Sequence, residues 1–130
     1  MKLLIVGGGF MGTALARHFS KFTNVILCEK NDEQLKKLKE NPDLKKVTIV
    51  KTLTKEMEPE IIIEAVPEKL DLKKQVYSEL ETIFSNEVII CTNTSSFRIS
   101  DLANELVEKE RFVGTHFFSP ADIIPLVEVV

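Results

Sequence analysis

Three side chains in the second half of this sequence could together move a proton. His116 stands in the run GTHFFSPADIIPLVEVV, Glu128 follows twelve residues later, and Ser95 lies upstream in TNTSS. A carboxylate paired with an imidazole raises its basicity and fixes its tautomer, which suits a general base acting near neutral pH. Nearly everything else in the run is apolar, so the plain alternative is a core histidine satisfied by backbone. Ser95 and a nucleotide motif at the other end of the chain favour the functional reading. His18 has no such company and reads as structural.

That nucleotide motif is GGGFMG, directly after the apolar run LLIV and at the start of a helical pattern. Gly7, Gly9 and Gly12 fit G-x-G-x-x-G: a tight turn, close backbone approach to a pyrophosphate, and close helix–strand contact. The helix N-terminus offers free N–H groups and a positive dipole end to the phosphates. Glu29 ends the second apolar run, 22 residues after Gly7. A carboxylate there can accept both ribose hydroxyls and repels a 2′-phosphate, so the expected cofactor is NAD rather than NADP. Lys30 next door tempers that preference. No metal is expected.

The elements that must position these groups alternate along the chain. LLIV (3–6), NVILC (24–28), VTIV (47–50), EIIIEAV (60–66) and VIIC (88–91) read as strands, with RFVGTHFF and PLVEVV as the last two. Between them, Met11, Ala14, Leu15, Phe19 and Phe22 fall at helical spacing. So do Leu72, Val76, Leu80 and Ile83, and then Ile99, Leu102, Ala103, Leu106 and Val107. Asn31 reads as the N-cap of a short charged helix that buries Leu35 and Leu38. Near-continuous Val/Ile/Leu strands separated by helices imply a mostly parallel, doubly wound α/β sheet covered on both faces, in one dinucleotide-binding domain spanning 1–130. Ligands of such folds sit at the carboxyl ends of the strands. Ser95 and His116, 21 residues apart, each follow a strand and so should share that rim.

Composition narrows the partners. The net charge is -3 and Lys alternates with Glu through KNDEQLKKLKENPDLKK, as on a solvated face, so nucleic acid is not an expected partner. No apolar run is long enough to cross a bilayer. Cys28 and Cys91 sit inside apolar runs as reduced, buried thiols would, and the expected compartment is the cytoplasm.

The runs GGGFMG, IIEAVPEKLDLKK, TNTSS and GTHFFSPADIIPLVEVV, in this order, resemble the NAD-binding domain of the L-3-hydroxyacyl-CoA dehydrogenases over essentially the whole chain. The resemblance implies His116 as catalytic base, Glu128 as its partner, and Ser95 beside the substrate oxygen and nicotinamide. It implies nucleotide contacts from Glu68 and Lys73, the ends of an E-x-x-x-x-K segment. The reaction implied is hydride transfer from C3 of a 3-hydroxyacyl thioester to NAD⁺ while His116 takes the hydroxyl proton. Three departures accompany it. Ser119 stands where the family has the Asn of HFFNP, which contacts cofactor and substrate. The family's helical hairpin after the second strand, which helps hold coenzyme A, is replaced by a short charged segment. The family's all-helical domain, which completes the acyl site, supplies a catalytic Asn and makes the dimer, is absent from the 130 residues. The expected partners are an acyl-CoA-type small molecule and, through residues 117–130, a second copy or a helical chain. The rival readings are a non-catalytic NAD-binding sensor or regulatory module, and a piece of a longer enzyme.

Overall fold

In the computed structural model, which describes residues 1–85, 87–121, 123–124 and 126–130, the apolar runs become seven strands in one sheet. They are β1 (Lys2–Val6), β2 (Asn24–Cys28), β3 (Val47–Val50), β4 (Ile61–Glu64), β5 (Ile89–Thr92), β6 (Phe112–Phe117) and β7 (Val127–Val129). The helices are α1 (Phe10–Phe19), α2 (Asp32–Glu40), α3 (Leu70–Ile83) and α4 (Ile99–Ala103). Strand order is β3-β2-β1-β4-β5-β6-β7. Every pairing is parallel except β6–β7, which is antiparallel. This is the doubly wound order expected, with the switch point between β1 and β4.

Strand alternation explains the two-sided cover. Leu3 and Ile5 point to the face packed by Ala14 and Leu15 of α1 and Leu38 of α2. Leu4 and Val6 point to the other, against Val76, Tyr77 and Leu80 of α3. Both faces of β1 are thereby removed from water, which is why its sequence is apolar without alternation.

Two helices are shorter than their periodicity suggests. α1 ends at Phe19, and Phe22 is 73% exposed. α4 stops at Ala103; Leu106 is buried beyond it, but Val107 is 84% exposed with its N–H donated to the Glu81 carboxylate. Neither helix has a side-chain N-cap, and α4 is too short to gain much from propagation. The strand expected over PLVEVV forms only at Val127–Val129; Pro125 of that run, like Asp122 before it, lies outside the described residues.

At the tip of β1 the glycines are steric necessities. Gly7 has φ of +107°, and a Cβ there would meet the Ala65 carbonyl oxygen at 2.6 Å. A Cβ on Gly12 would overlap the Gly7 carbonyl oxygen, so α1 can dock onto the turn only without a side chain at that point. Because the obstructing atom is backbone, Gly12→Ala is expected to lower stability by roughly 1–3 kcal/mol. The midpoint of urea denaturation would report it, and an unchanged midpoint would mean that the turn relaxes freely.

Candidate active site

Two clefts open along the carboxyl edge of the sheet and meet at one residue. The first, about 620 Å³, runs from Gly7, Gly9 and Met11 past Glu29 to Asn93 and Ser95. The second, about 690 Å³, runs from Ser95 past Phe97 and Arg98 to His116, Phe118 and Glu128. Ser95 lines both.

The first cleft is built to receive an anion. Gly9 is the N-cap of α1; no side chain caps that terminus and no acidic residue lies in its first turn, so its N–H groups face the groove unclaimed. By contrast α2 is capped by Asn31 and begins with Asp32 and Glu33. A Cβ built on Gly9 meets nothing within 4 Å, so the backbone there borders open space of the kind a pyrophosphate needs. The Gly8 peptide is braced from three sides. Its N–H donates to Glu29 Oε1 at 2.9 Å, and its carbonyl accepts from Gln34 Nε2 at 2.7 Å and Thr13 Oγ1 at 3.1 Å. Glu29 Oε2 accepts the Asn31 N–H at 2.9 Å. That fixes the carboxylate beside the turn with lone pairs to spare, where a ribose would lie. These residues fit a dinucleotide.

The second cleft holds the candidate base. β6 and β7 pair His116 directly with Glu128, so both side chains rise on the same face. The Phe118 ring packs edge-on against the imidazole, centroids 4.9 Å apart. His116 is half-buried, and Glu128 and Ser95 are exposed. The pairing sets the two residues side by side, but among the described residues no hydrogen bond or ion pair joins His116 to Glu128. Such contacts are often loose until substrate is bound. Ser119 follows β6, exposed, and lines neither cleft. His18 packs edge-on against Phe19 and Phe22, away from both.

Residues 39–130 match the family described as 3-hydroxyacyl-CoA dehydrogenase, NAD binding domain. The chain belongs to that family. It is 31% identical to a peroxisomal fatty acid beta-oxidation multifunctional protein of Oryza sativa, over 99% of the chain and 21% of that protein. It is 33% identical to a probable 3-hydroxyacyl-CoA dehydrogenase of Caenorhabditis elegans, over 97% of the chain and 51% of that protein. Among solved structures, the 3-hydroxyacyl-CoA dehydrogenase of Archaeoglobus fulgidus superposes with a TM-score of 0.90 at 32% identity, covering 99% of the chain and 46% of that protein. The chain thus spans about half or less of these relatives, and as a member of the family it is an NAD-binding domain.

Within this NAD-binding domain the E-x-x-x-x-K segment does something other than line the nucleotide groove end to end. Lys73 is buried beneath it, and its ammonium is held by Glu64 Oε2 at 2.6 Å, Glu68 Oε1 at 3.0 Å and the Val66 carbonyl at 3.4 Å. Its three donors are thus engaged at the end of β4, whose Glu64 borders the nucleotide groove. Glu68 reaches the other way, to Thr94 Oγ1 at 2.8 Å and the backbone N–H groups of Ser96 and Ser95 at 3.0 and 3.3 Å. Burial pushes the Glu68 carboxyl up, but Lys73, Thr94 and the Ser96 N–H outweigh it and hold the group below the usual carboxylate range.

Glu64 and Asn93 went unmarked in the sequence. Glu64, fully buried at the end of β4, also accepts from Tyr77 OH at 2.6 Å, Thr92 Oγ1 at 2.7 Å and the Val66 N–H at 3.0 Å. Burial and then Glu64 itself push the Tyr77 hydroxyl well up, so it stays a donor. Asn93 Oδ1 accepts the Phe117 N–H at 3.1 Å and ties the TNTSS loop to the HFF strand. Burial raises the Cys28 thiol to about 11, with Lys30 partly opposing, and raises Cys91 as well, so neither is a poised nucleophile.

Proposed function

We propose that this chain is the cofactor-binding half of an NAD-dependent oxidoreductase that converts a 3-hydroxyacyl-CoA to the 3-ketoacyl-CoA. The observation that carries the reading is the meeting of the two clefts at Ser95, which puts a nucleotide groove and a His–Glu pair on one continuous surface. Gly7, Gly9 and Gly12 would hold the pyrophosphate, and Glu29 the adenosine ribose. When bound, NAD supplies the hydride acceptor. His116 takes the proton of the C3 hydroxyl as the bond to carbon weakens, and Glu128, its cross-strand neighbour, stabilises the imidazolium so formed. Ser95 holds the substrate oxygen at the boundary between the clefts, and Ser119 takes the place of the family's Asn with a single oxygen, donor and acceptor at once, where that amide has separate donor and acceptor atoms on a longer arm. The direct test is NADH formation from a short 3-hydroxyacyl-CoA. No formation under any condition, with tight NADH binding retained, would leave the rival reading of a non-catalytic NAD-binding sensor.

Cofactor choice follows from Glu29. NADP carries a phosphate in place of the ribose 2′-hydroxyl, so it loses a charge-assisted hydrogen bond worth about 1.5–3 kcal/mol. Calorimetry should find NADH bound at least about tenfold more tightly than NADPH, and Glu29→Ala should narrow that gap. Equal affinities in the unaltered protein would remove Glu29 from this role.

The proposed macromolecular partner is a second copy or a helical chain seated on residues 117–130. Ile123, Val129 and Val130 are 74%, 67% and 65% exposed, and β7 is a sheet edge. Exposed apolar side chains beside an open edge favour association. Sedimentation equilibrium should show self-association that Val129→Lys weakens; a clean monomer at high concentration would oppose it. Among the described residues no helix is long and apolar enough to cross a membrane. The proposed compartment remains the cytoplasm, supported by two buried free thiols, although the Oryza sativa relative is peroxisomal.

A further inference from the structure

Glu29 and Lys30 leave the end of β2 with opposite charges and in different directions. The Glu29 carboxylate turns to the glycine loop and the start of α2, onto the Gly8 and Asn31 N–H groups. Lys30 reaches to α3 instead, where its ammonium meets Glu79 Oε2 at 2.6 Å, 49 residues further along the chain. Between β2 and α3 lies a side pocket of about 170 Å³, walled by Cys28, Val66, Leu72 and Val76. It continues the nucleotide groove, for Gly7, Glu29 and Lys30 line both. Lys30 is the one cationic side chain among the described residues that line either space.

We propose that Glu79 is a positioning residue for coenzyme choice: it holds the Lys30 ammonium against α3 and so withholds it from the 2′-phosphate of NADP. The inference rests on the ribose-binding role proposed for Glu29 and adds a second, separable source of selectivity. A phosphate monoester carries a charge of about −1.5 to −2 at neutral pH. Dinucleotide sites that accept a 2′-phosphate set a cation beside the ribose to meet it. Lys30 follows Glu29 directly and borders the same groove, so it stands where such a cation would act. A lysine has a flexible stem and, when free, swings readily towards a phosphate.

Paired with Glu79, Lys30 offers no unbalanced positive charge. An arriving 2′-phosphate meets the Glu29 carboxylate and must also compete with Glu79 for the ammonium. NADH presents only hydroxyls at that ribose and needs no cation there. The pair therefore disfavours NADP and leaves NAD to Glu29. The other lysine at this edge, Lys51 just after β3, is balanced in the same way by Asp32 at 2.6 Å, but it lines neither space. The Lys30 and Glu79 side chains are 61% and 31% exposed, and pairs this open to water contribute little to stability. The fold should thus survive without Glu79, and the restraint on Lys30 is a modest one.

Fluorescence titration with NADH and NADPH decides the matter. In Glu79→Ala, NADPH affinity is expected to rise by at least about threefold while NADH affinity stays within about twofold. NADH remains preferred, because Glu29 is intact. Glu79→Gln, close in size to the original, should show the same gain and guards against a folding defect in the alanine variant. Adding Lys30→Ala should abolish the gain, and Lys30→Ala alone should leave NADPH binding within about twofold of the unaltered protein. The gain should also shrink as salt is raised, since a freed surface cation acts through a screened field. No rise in NADPH affinity in either Glu79 variant would overturn the proposal. So would a rise that persists in Lys30→Ala/Glu79→Ala, which would assign the effect to the Glu79 charge alone. If the unaltered protein binds neither nucleotide, or both equally, the cofactor reading fails and this one with it. If it prefers NADH and the Glu79 variants keep the whole of that preference, only the role of Glu79 falls.

Discussion

Replacing His116 with alanine should lower turnover by roughly 10²–10⁴-fold, the range of a positioned general base. NADH affinity should be nearly untouched, because His116 lines the cleft beyond Ser95 and no residue of the glycine turn contributes to that cleft. The pairing with Glu128 makes a second, smaller effect computable in direction. Glu128→Gln keeps the size and one acceptor but removes the charge that stabilises the imidazolium, so turnover should fall, though by less than in His116→Ala. Unchanged turnover would separate Glu128 from His116 functionally, despite their shared register. If His116→Ala retained full turnover, the proton would have to leave by another group, and the reading of the second cleft would fall.

How far the site could be read from sequence depended on whether each group announces itself locally. The glycine turn did, because positive φ at Gly7 and the crowding at Gly12 exclude other residues at fixed spacing. Glu29 did, because β2 and its parallel register with β1 set where the carboxylate must emerge. Ser95 and His116 could be placed on one rim because β5 and β6 are adjacent and parallel. The antiparallel turn of β7 was also within reach: residues 118–126 are too few for the dozen or so a parallel crossover requires. Glu64 was not legible. In EIIIEAV a glutamate at a strand end looks like an exposed terminus, and its partners, Tyr77 and Thr92, are brought to it only by the packing of α3 over β4 and β5. The burial of Lys73 was not legible for the same reason: a lysine on a helix is exposed by default, and only the tertiary fold turns it inward. The helix at Ile99 was overextended because spacing counts apolar positions alone: Leu106 is buried from outside the helix and Val107 is exposed.

The buried pair also carries the largest expected change in stability. Lys73→Met replaces the ammonium with an apolar chain of similar length and leaves Glu64 charged, fully buried and facing only neutral donors. Breaking a buried pair in this way costs about 3–5 kcal/mol, a large fraction of what a small domain has. The partner change is informative because it has the opposite sign. In Glu64→Gln/Lys73→Met both charges are gone, and the Gln carbonyl can still accept from Tyr77 or Thr92, so the double variant should be more stable than Lys73→Met alone. The coupling between the two positions should reach roughly 0.5–3 kcal/mol, as for residues in one network. Urea denaturation of the four proteins in the cycle measures it. Additive losses would mean that Lys73 and Glu64 contribute separately, through packing and not through their 2.6 Å contact. A stable double variant with poor turnover would be the more telling outcome. It would show that the core tolerates losing the pair and that the charges are kept for function rather than for stability.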